Sequence, residues 1–173
     1  SKSMTSIDNL NREIAERKKM EQALRDSEEK FSVAFRSSPE MIIMTNIQSG
    51  KYVEVNDSFI NITGYTREEL IGHTSEDPKI WLNDKDQDRM IRILQEHGEM
   101  RNEEFSFRMK SGEIRQWLCS AEIVSIGGEA HMIAVATDIT ERKQMEQALR
   151  ESEEKFSKAF RSSPNTMVIT TVK

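Results

Sequence analysis

From Ile7 to Phe35 the chain contains neither Gly nor Pro, and its apolar residues fall at Ile7, Leu10, Ile14, Leu24, Phe31 and Phe35, mostly three, four or seven apart. That spacing lines one side of a long helix. The stripe is thin, because Arg17, Glu21 and Glu28 stand where a strict heptad wants apolar groups. Such a helix is not stable alone and calls for a partner, either a second chain or the domain that follows it. Ser37-Ser38-Pro39 ends it, since the residue before proline is disfavoured in the helical region.

The period then shortens. "MIIMTNIQSGKYVEVN" holds two β-rich runs around Ser49-Gly50, a hairpin pattern. Short helical signals follow in "DSFINITGYTREELIG": Asn56 or Asp57 caps a first helix that Gly64 ends, and Thr66 with Glu69 makes a capping box for a second before Gly72. Residues 73–85 read as irregular, and "DQDRMIRILQEHG" reads as a third helix burying Met90, Ile91 and Leu94. Beyond Gly98, "NEEFSFRMK" alternates Phe105, Phe107 and Met109 on one face; "EIRQWLCSAEIVSI" and "EAHMIAVATDI" complete a three-strand meander through the turns at Ser111-Gly112 and Gly127-Gly128. The last two strands carry apolar residues on both faces, a pattern that predicts a sheet covered on both sides. Thr140 is placed to cap a final helix.

One stretch occurs twice. "ERKKMEQALRDSEEKFSVAFRSSP" at 16–39 returns at 141–164 as "ERKQMEQALRESEEKFSKAFRSSP", with only Lys19/Gln144, Asp26/Glu151 and Val33/Lys158 differing. A period of 125 residues (141 minus 16) is too long for a solenoid unit and suits a small domain plus its connector. The order divides the chain into an N-terminal helix at 1–36, a domain at 37–140, a second helix at 141–163 and the start of another domain at 164–173.

Composition changes this picture little. With 36% hydrophobic and 32% charged residues but only 7 Gly and 3 Pro, the chain suits a globular domain carrying long polar helices. A formal charge of −5, with Lys and Arg interleaved with Glu, argues against a nucleic-acid surface. No apolar run approaches the roughly 18–20 residues that cross a bilayer. A single cysteine, Cys119, rules out an internal disulfide and makes cytoplasmic residence the expectation, with any membrane anchor lying outside this segment.

The order of elements, together with "SEEKF…AF…SP", "VNDSF…TGYTREELIG", "SGEIRQWL" and "ATDITERKQMEQAL", resembles the PAS sensory domain. The resemblance implies an α+β fold: a five-stranded antiparallel sheet with short helices on one face, flanked by long helices of coiled-coil type. Asp138-Ile139-Thr140 is similar to the family's signal-exit motif, and "PNTMVITTVK" resembles the first strand of a second PAS domain. Tandem PAS domains of this kind resemble the sensors of bacterial or archaeal histidine kinases and diguanylate cyclases. They bind a small molecule or a partner, or mediate dimerisation, and pass the result along flanking helices to an output domain in the same chain. No nucleophile–base pair or paired carboxylate cluster emerges that would make this stretch itself an enzyme. "GGEAH" at 127–131 sits in a hairpin turn and is only superficially similar to the cyclase signature.

Candidate chemistry is sparse. Flavin-photosensing relatives place a cysteine where "GHTSED" puts Ser75, which argues against a photoadduct. Haem-binding relatives use a histidine at a position equivalent to Gln87, which argues against haem; His97 at the helix end complements the dipole. His73, His97 and His131 show no metal-ligand spacing with one another or with Cys119. The cofactor therefore stays unassigned. Trp81, Met90, Phe105, Phe107, Trp117 and Cys119 are candidates for the wall of a cavity between the longer helix and the sheet, or else ordinary core. Asp138 and Thr140 read either as a signal relay or as a plain helix cap. Ile7, Leu10, Ile14 and Leu24 read either as the seam of a homodimer or as a face packed back on the chain's own sheet.

Overall fold

The structure, a computed structural model, describes residues 2–162. The strand expected at 164–173 lies outside them. Ten elements follow in order: α1 (Lys2–Ser37), β1 (Met41–Asn46), β2 (Tyr52–Val55), α2 (Asp57–Thr63), α3 (Arg67–Leu70), α4 (Asp84–His97), β3 (Glu99–Arg108), β4 (Ile114–Ile126), β5 (Glu129–Asp138) and α5 (Thr140–Ser162). The strands form one antiparallel sheet in the order β2-β1-β5-β4-β3. This is the five-stranded α+β arrangement that the resemblance implies.

Local chemistry fixes the small helices. Asn56 caps α2 by accepting from Phe59 N, Gly64 ends it at φ 79°, and Thr66 and Glu69 close the expected capping box on α3. Helix α3 stops at Leu70, before Gly72 as expected, with Ile71 closing it and Gly72 N donating to the Tyr52 carbonyl at 2.8 Å. One expectation is corrected here. Helix α4 starts two residues earlier than the sequence pattern, capped by Asn83, and only Leu94 is buried; Ile91 stays 41% exposed. The helix rests on β3 and β4 and stands away from the β1–β2 hairpin, so Ile91 reaches an opening instead of a packed wall.

Alternation sorts the long strands. The inward positions Trp117, Cys119 and Ala121 of β4 face the helices together with Met132, Ala134 and Ala136 of β5. The outward set includes Ile42, Met44, Leu118, Ile133 and Val135, all only half-buried. Among the described residues the two-sided cover predicted from the sequence is not provided, since α1 leaves this face free. Phe31 and Val33 of α1 are exposed, and Phe35 is half-buried, near α2. Helix α1 therefore projects from the domain, and the apolar side chains of α5 (Met145, Leu149, Phe156 and Phe160) are exposed in the same way.

Candidate functional site

Between α4 and the inner face of the sheet lies a cavity of about 250 Å³. It exists because of side-chain size: Ala134 and Ala136 on β5 leave room that larger residues would fill, while Trp81, Phe105 and Phe107 wall one side. The three rings form a corner, with Trp81 edge-on to Phe105 at 5.4 Å and to Phe107 at 4.7 Å between centroids. Met90 and Leu94 come down from α4, and the exposed members of the lining include Ile47 and Gly50 of the first hairpin and Ile91 and Gln95 of α4.

Five of the six wall candidates, Trp81, Met90, Phe105, Phe107 and Cys119, line this cavity. Trp117 does not. Paired opposite Phe105 and only 1% exposed, it is packed within the core, and its indole N–H finds no acceptor among the described residues. The two positions compared above with light- and haem-sensing relatives both reach the cavity and meet there, Gln87 Nε2 donating to Ser75 Oγ at 3.3 Å. None of the three histidines lines it. Among the described residues no group of three His, Cys, Asp or Glu is placed to hold a metal ion.

Electrostatically the cavity is quiet. Burial pushes the Cys119 thiol up to about 12, and burial followed by the neighbouring Tyr65 raises the Tyr52 phenol further above its ordinary value, so both are neutral at pH 7. Arg89 of α4 lies with its guanidinium 4.3 Å from the centre of the Phe105 ring, pairs with Glu103 and donates to the Glu104 carbonyl at 2.7 Å.

Two junctions tie the rods to this domain, and sequence reasoning read neither fully. Asn56, wholly buried, does far more than cap α2. Its carboxamide nitrogen donates to the carbonyls of Phe35 at 3.1 Å and Glu40 at 2.8 Å, and its oxygen accepts from Ile42 N at 3.0 Å as well as from Phe59 N. One side chain thus binds the end of α1 to β1 and α2. At the other end β5 runs into α5 without a loop. Asp138 Oδ1 accepts from Thr140 N at 2.8 Å while Asp138 Oδ2 accepts from Arg115 at 3.1 Å. The expectation that Thr140 caps the helix is corrected: its hydroxyl accepts from Gln116 N of β4 at 2.9 Å, because that N–H lies beyond the last β4–β5 pair, Trp117 with Asp138, and would otherwise be unmet. Ile139 N donates to Gln116 O at 2.9 Å, and Lys143 pairs with Glu104 of β3 at 2.7 Å. Arg115, Gln116 and Lys143 carried no sequence signal, since only the register brings them to the helix start.

The proposed dimer positions Ile7, Leu10, Ile14 and Leu24 are all exposed, at 45–61%. No helix among the described residues is long and apolar enough to cross a membrane.

Known proteins place this architecture. The crystal structure of the PAS domain of an HTR-like protein from Haloarcula marismortui shares the fold, with a TM-score of 0.57 and 22% identity, covering 70% of this chain and 99% of that one. Sporulation kinase E of Bacillus subtilis is 31% identical over 160 residues, and the sensor histidine kinase TmoS of Ectopseudomonas mendocina is 26% identical over 145. Those matches cover 91% and 82% of this chain but only 21% and 15% of the two relatives, so the chain corresponds to a small part of each. The PAS domain model matches residues 39–141, and with more than half its length inside that match the chain belongs to the PAS domain family.

Proposed function

We propose that the domain senses a small molecule held in the cavity under α4 and passes its occupancy to α5 through the Asp138–Thr140 junction. The observation that carries this reading is that one strand serves both places. Cys119 of β4 is cavity wall, and Gln116, three residues earlier on the same strand, holds the start of α5 at Ile139 and Thr140. A shift of β4 on ligand binding is therefore also a shift of the latch. The relatives are kinases by name, which supports a parent protein whose output is a histidine kinase. The repeated segment supports a tandem arrangement, in which one helix is the outgoing rod of one sensor and the incoming rod of the next.

Dimerisation belongs to the same proposal. The stripe of Ile7, Leu10, Ile14 and Leu24 is exposed in a single chain and runs at coiled-coil spacing, so two copies of α1 side by side would cover it. That stripe also favours a second reading, a ligand-free module used for dimerisation and spacing. Asp138→Ala in the full-length protein separates the two: it changes output without unfolding the domain if the junction relays a signal, and leaves output as it was if the domain is a spacer. Sedimentation at micromolar concentration tests the dimer, and a monomer there removes it.

A further inference from the structure

The chemistry of the cavity wall selects among possible ligands, an inference that rests on the sensing reading of the same cavity. We propose that it takes an uncharged, predominantly apolar molecule of one or two rings, anchored by a single hydroxyl or carbonyl at Gln87.

No Asp, Glu, Lys, Arg or His lines the cavity. An ionised carboxylate or ammonium moved there from water would lose its hydration and gain no counter-charge, which costs several kcal/mol. The guanidinium over Phe105 offers no remedy: Arg89 is engaged by Glu103, by the Glu104 carbonyl and by Asp86 at 3.7 Å. Nor do the two titratable wall groups supply charge, because burial keeps Cys119 and Tyr52 protonated.

What the wall does supply is soft apolar surface. Met41, Met90, Met100, Met109 and Met132, half of the chain's 10 methionines, line the cavity beside the Trp81–Phe105–Phe107 corner. Thioethers adapt to irregular shapes and make favourable contacts at aromatic ring edges, so this surface suits a planar apolar ring. The volume fits the same class. An apolar cavity of about 150 Å³ holds benzene, and the present one measures about 250 Å³.

Few polar groups are at hand to anchor a ligand: besides Gln87, the polar side chains of the wall are Thr45, Asn46, Tyr52, Thr63, Ser75 and Gln95. The Thr63 hydroxyl is committed to the Phe59 carbonyl at 2.6 Å, and the Asn46 carboxamide binds Ser49 and Glu129. Gln87 gives one N–H to Ser75, and its second N–H and carbonyl oxygen can meet a single ligand hydroxyl.

The test uses three probes with one frame: naphthalene, 1-naphthol and 1-naphthoate, titrated calorimetrically into the 173-residue chain, with methionine-methyl NMR to locate them. The expected result is that 1-naphthol binds and shifts the methyl signals of Met90 and Met132, while those of the exposed helix residues Met20 and Met145 stay put. 1-Naphthoate binds at least about 100-fold more weakly. Gln87→Leu weakens 1-naphthol about tenfold and leaves naphthalene within about threefold. Ala134→Leu fills the cavity and abolishes 1-naphthol binding, and Ala136→Leu does so independently should the first variant fail to fold. 1-Naphthoate binding within about tenfold of 1-naphthol overturns the ligand class and leaves the cavity a sensing site. Shifts confined to Met20 and Met145, or no binding by any probe at millimolar concentration, also overturn it, and the sensing reading is then decided separately by Asp138→Ala in the full-length protein.

Discussion

The two rods are near-copies of one sequence, yet they join the domain by different means. Helix α1 ends in a short turn whose central fastener is the buried side chain of Asn56, which gathers the carbonyls of Phe35 and Glu40, with the Ser58 hydroxyl on the Ser38 carbonyl beside it. Helix α5 grows out of β5 with no turn and is held at several points by the neighbouring strands: Asp138 with Arg115, Thr140 with Gln116, Lys143 with Glu104. The rods are therefore alike in sequence and the junctions are not. A turn with one central fastener fixes where α1 ends, whereas a strand continued as a helix makes the direction of α5 depend on where β4 and β5 lie.

The sharpest way to break this contrast is at the incoming side. Asn56→Ala removes the cap of α2 and strips partners from several buried backbone groups at once, and it lowers stability by about 3 kcal/mol in urea denaturation. A loss below about 1 kcal/mol would mean that α1 is not fastened there. Asp138→Ala at the outgoing side costs only about 1 kcal/mol, because the ion pair with Arg115 is partly solvated and the remaining loss is one helix-start hydrogen bond. Its effect on output in the full-length protein exceeds its effect on stability, and equal, small effects in both assays would reduce the junction to a cap.

The cavity between the junctions makes a prediction in pH. The Cys119 thiol has its pKa raised on folding, so the folded chain holds its proton more tightly than the unfolded one. Stability from this group is complete below the unfolded pKa near 9.0 and is lost as pH rises toward about 12. Cys119→Ala flattens that decline in part, Tyr52 contributing in the same direction. A thiol reagent at pH 8 reacts with the native chain at least about 100-fold more slowly than in urea, and comparable rates would place the thiol in water. The smallest effect is expected on the rod itself. Glu154→Ala removes an exposed i,i+4 pair with Arg150 and changes stability by less than about 0.5 kcal/mol.

Much of this was legible in the pattern of residues. Alternation and turn glycines give the hairpin and the meander, and Asn56, Gly64, Thr66 and Glu69 mark the small helices, because caps and turns are local chemistry. Five of the six wall positions could be named because large apolar residues at inward register are few. What escaped reading depends on relations between distant strands. Trp117 shares the inward register of Cys119 yet misses the cavity, and Ile91 shares the apolar stripe of α4 yet stays exposed. Thr140 reads as a cap until the register brings Gln116 to it. Asn56 looks like an ordinary cap, since the carbonyls it gathers lie 16 and 21 residues away.

Amide hydrogen exchange in a cavity-filled variant tests the link between cavity and rod most directly. Gln87→Trp reaches the cavity from α4, far in sequence from either junction. The account predicts that exchange at Ile139, Thr140 and Lys143 changes by about tenfold or more relative to the native chain, while the Asn56-bound amides of Ile42 and Phe59 keep their rates. Unchanged exchange at the start of α5, or an equal change at both junctions, would contradict it.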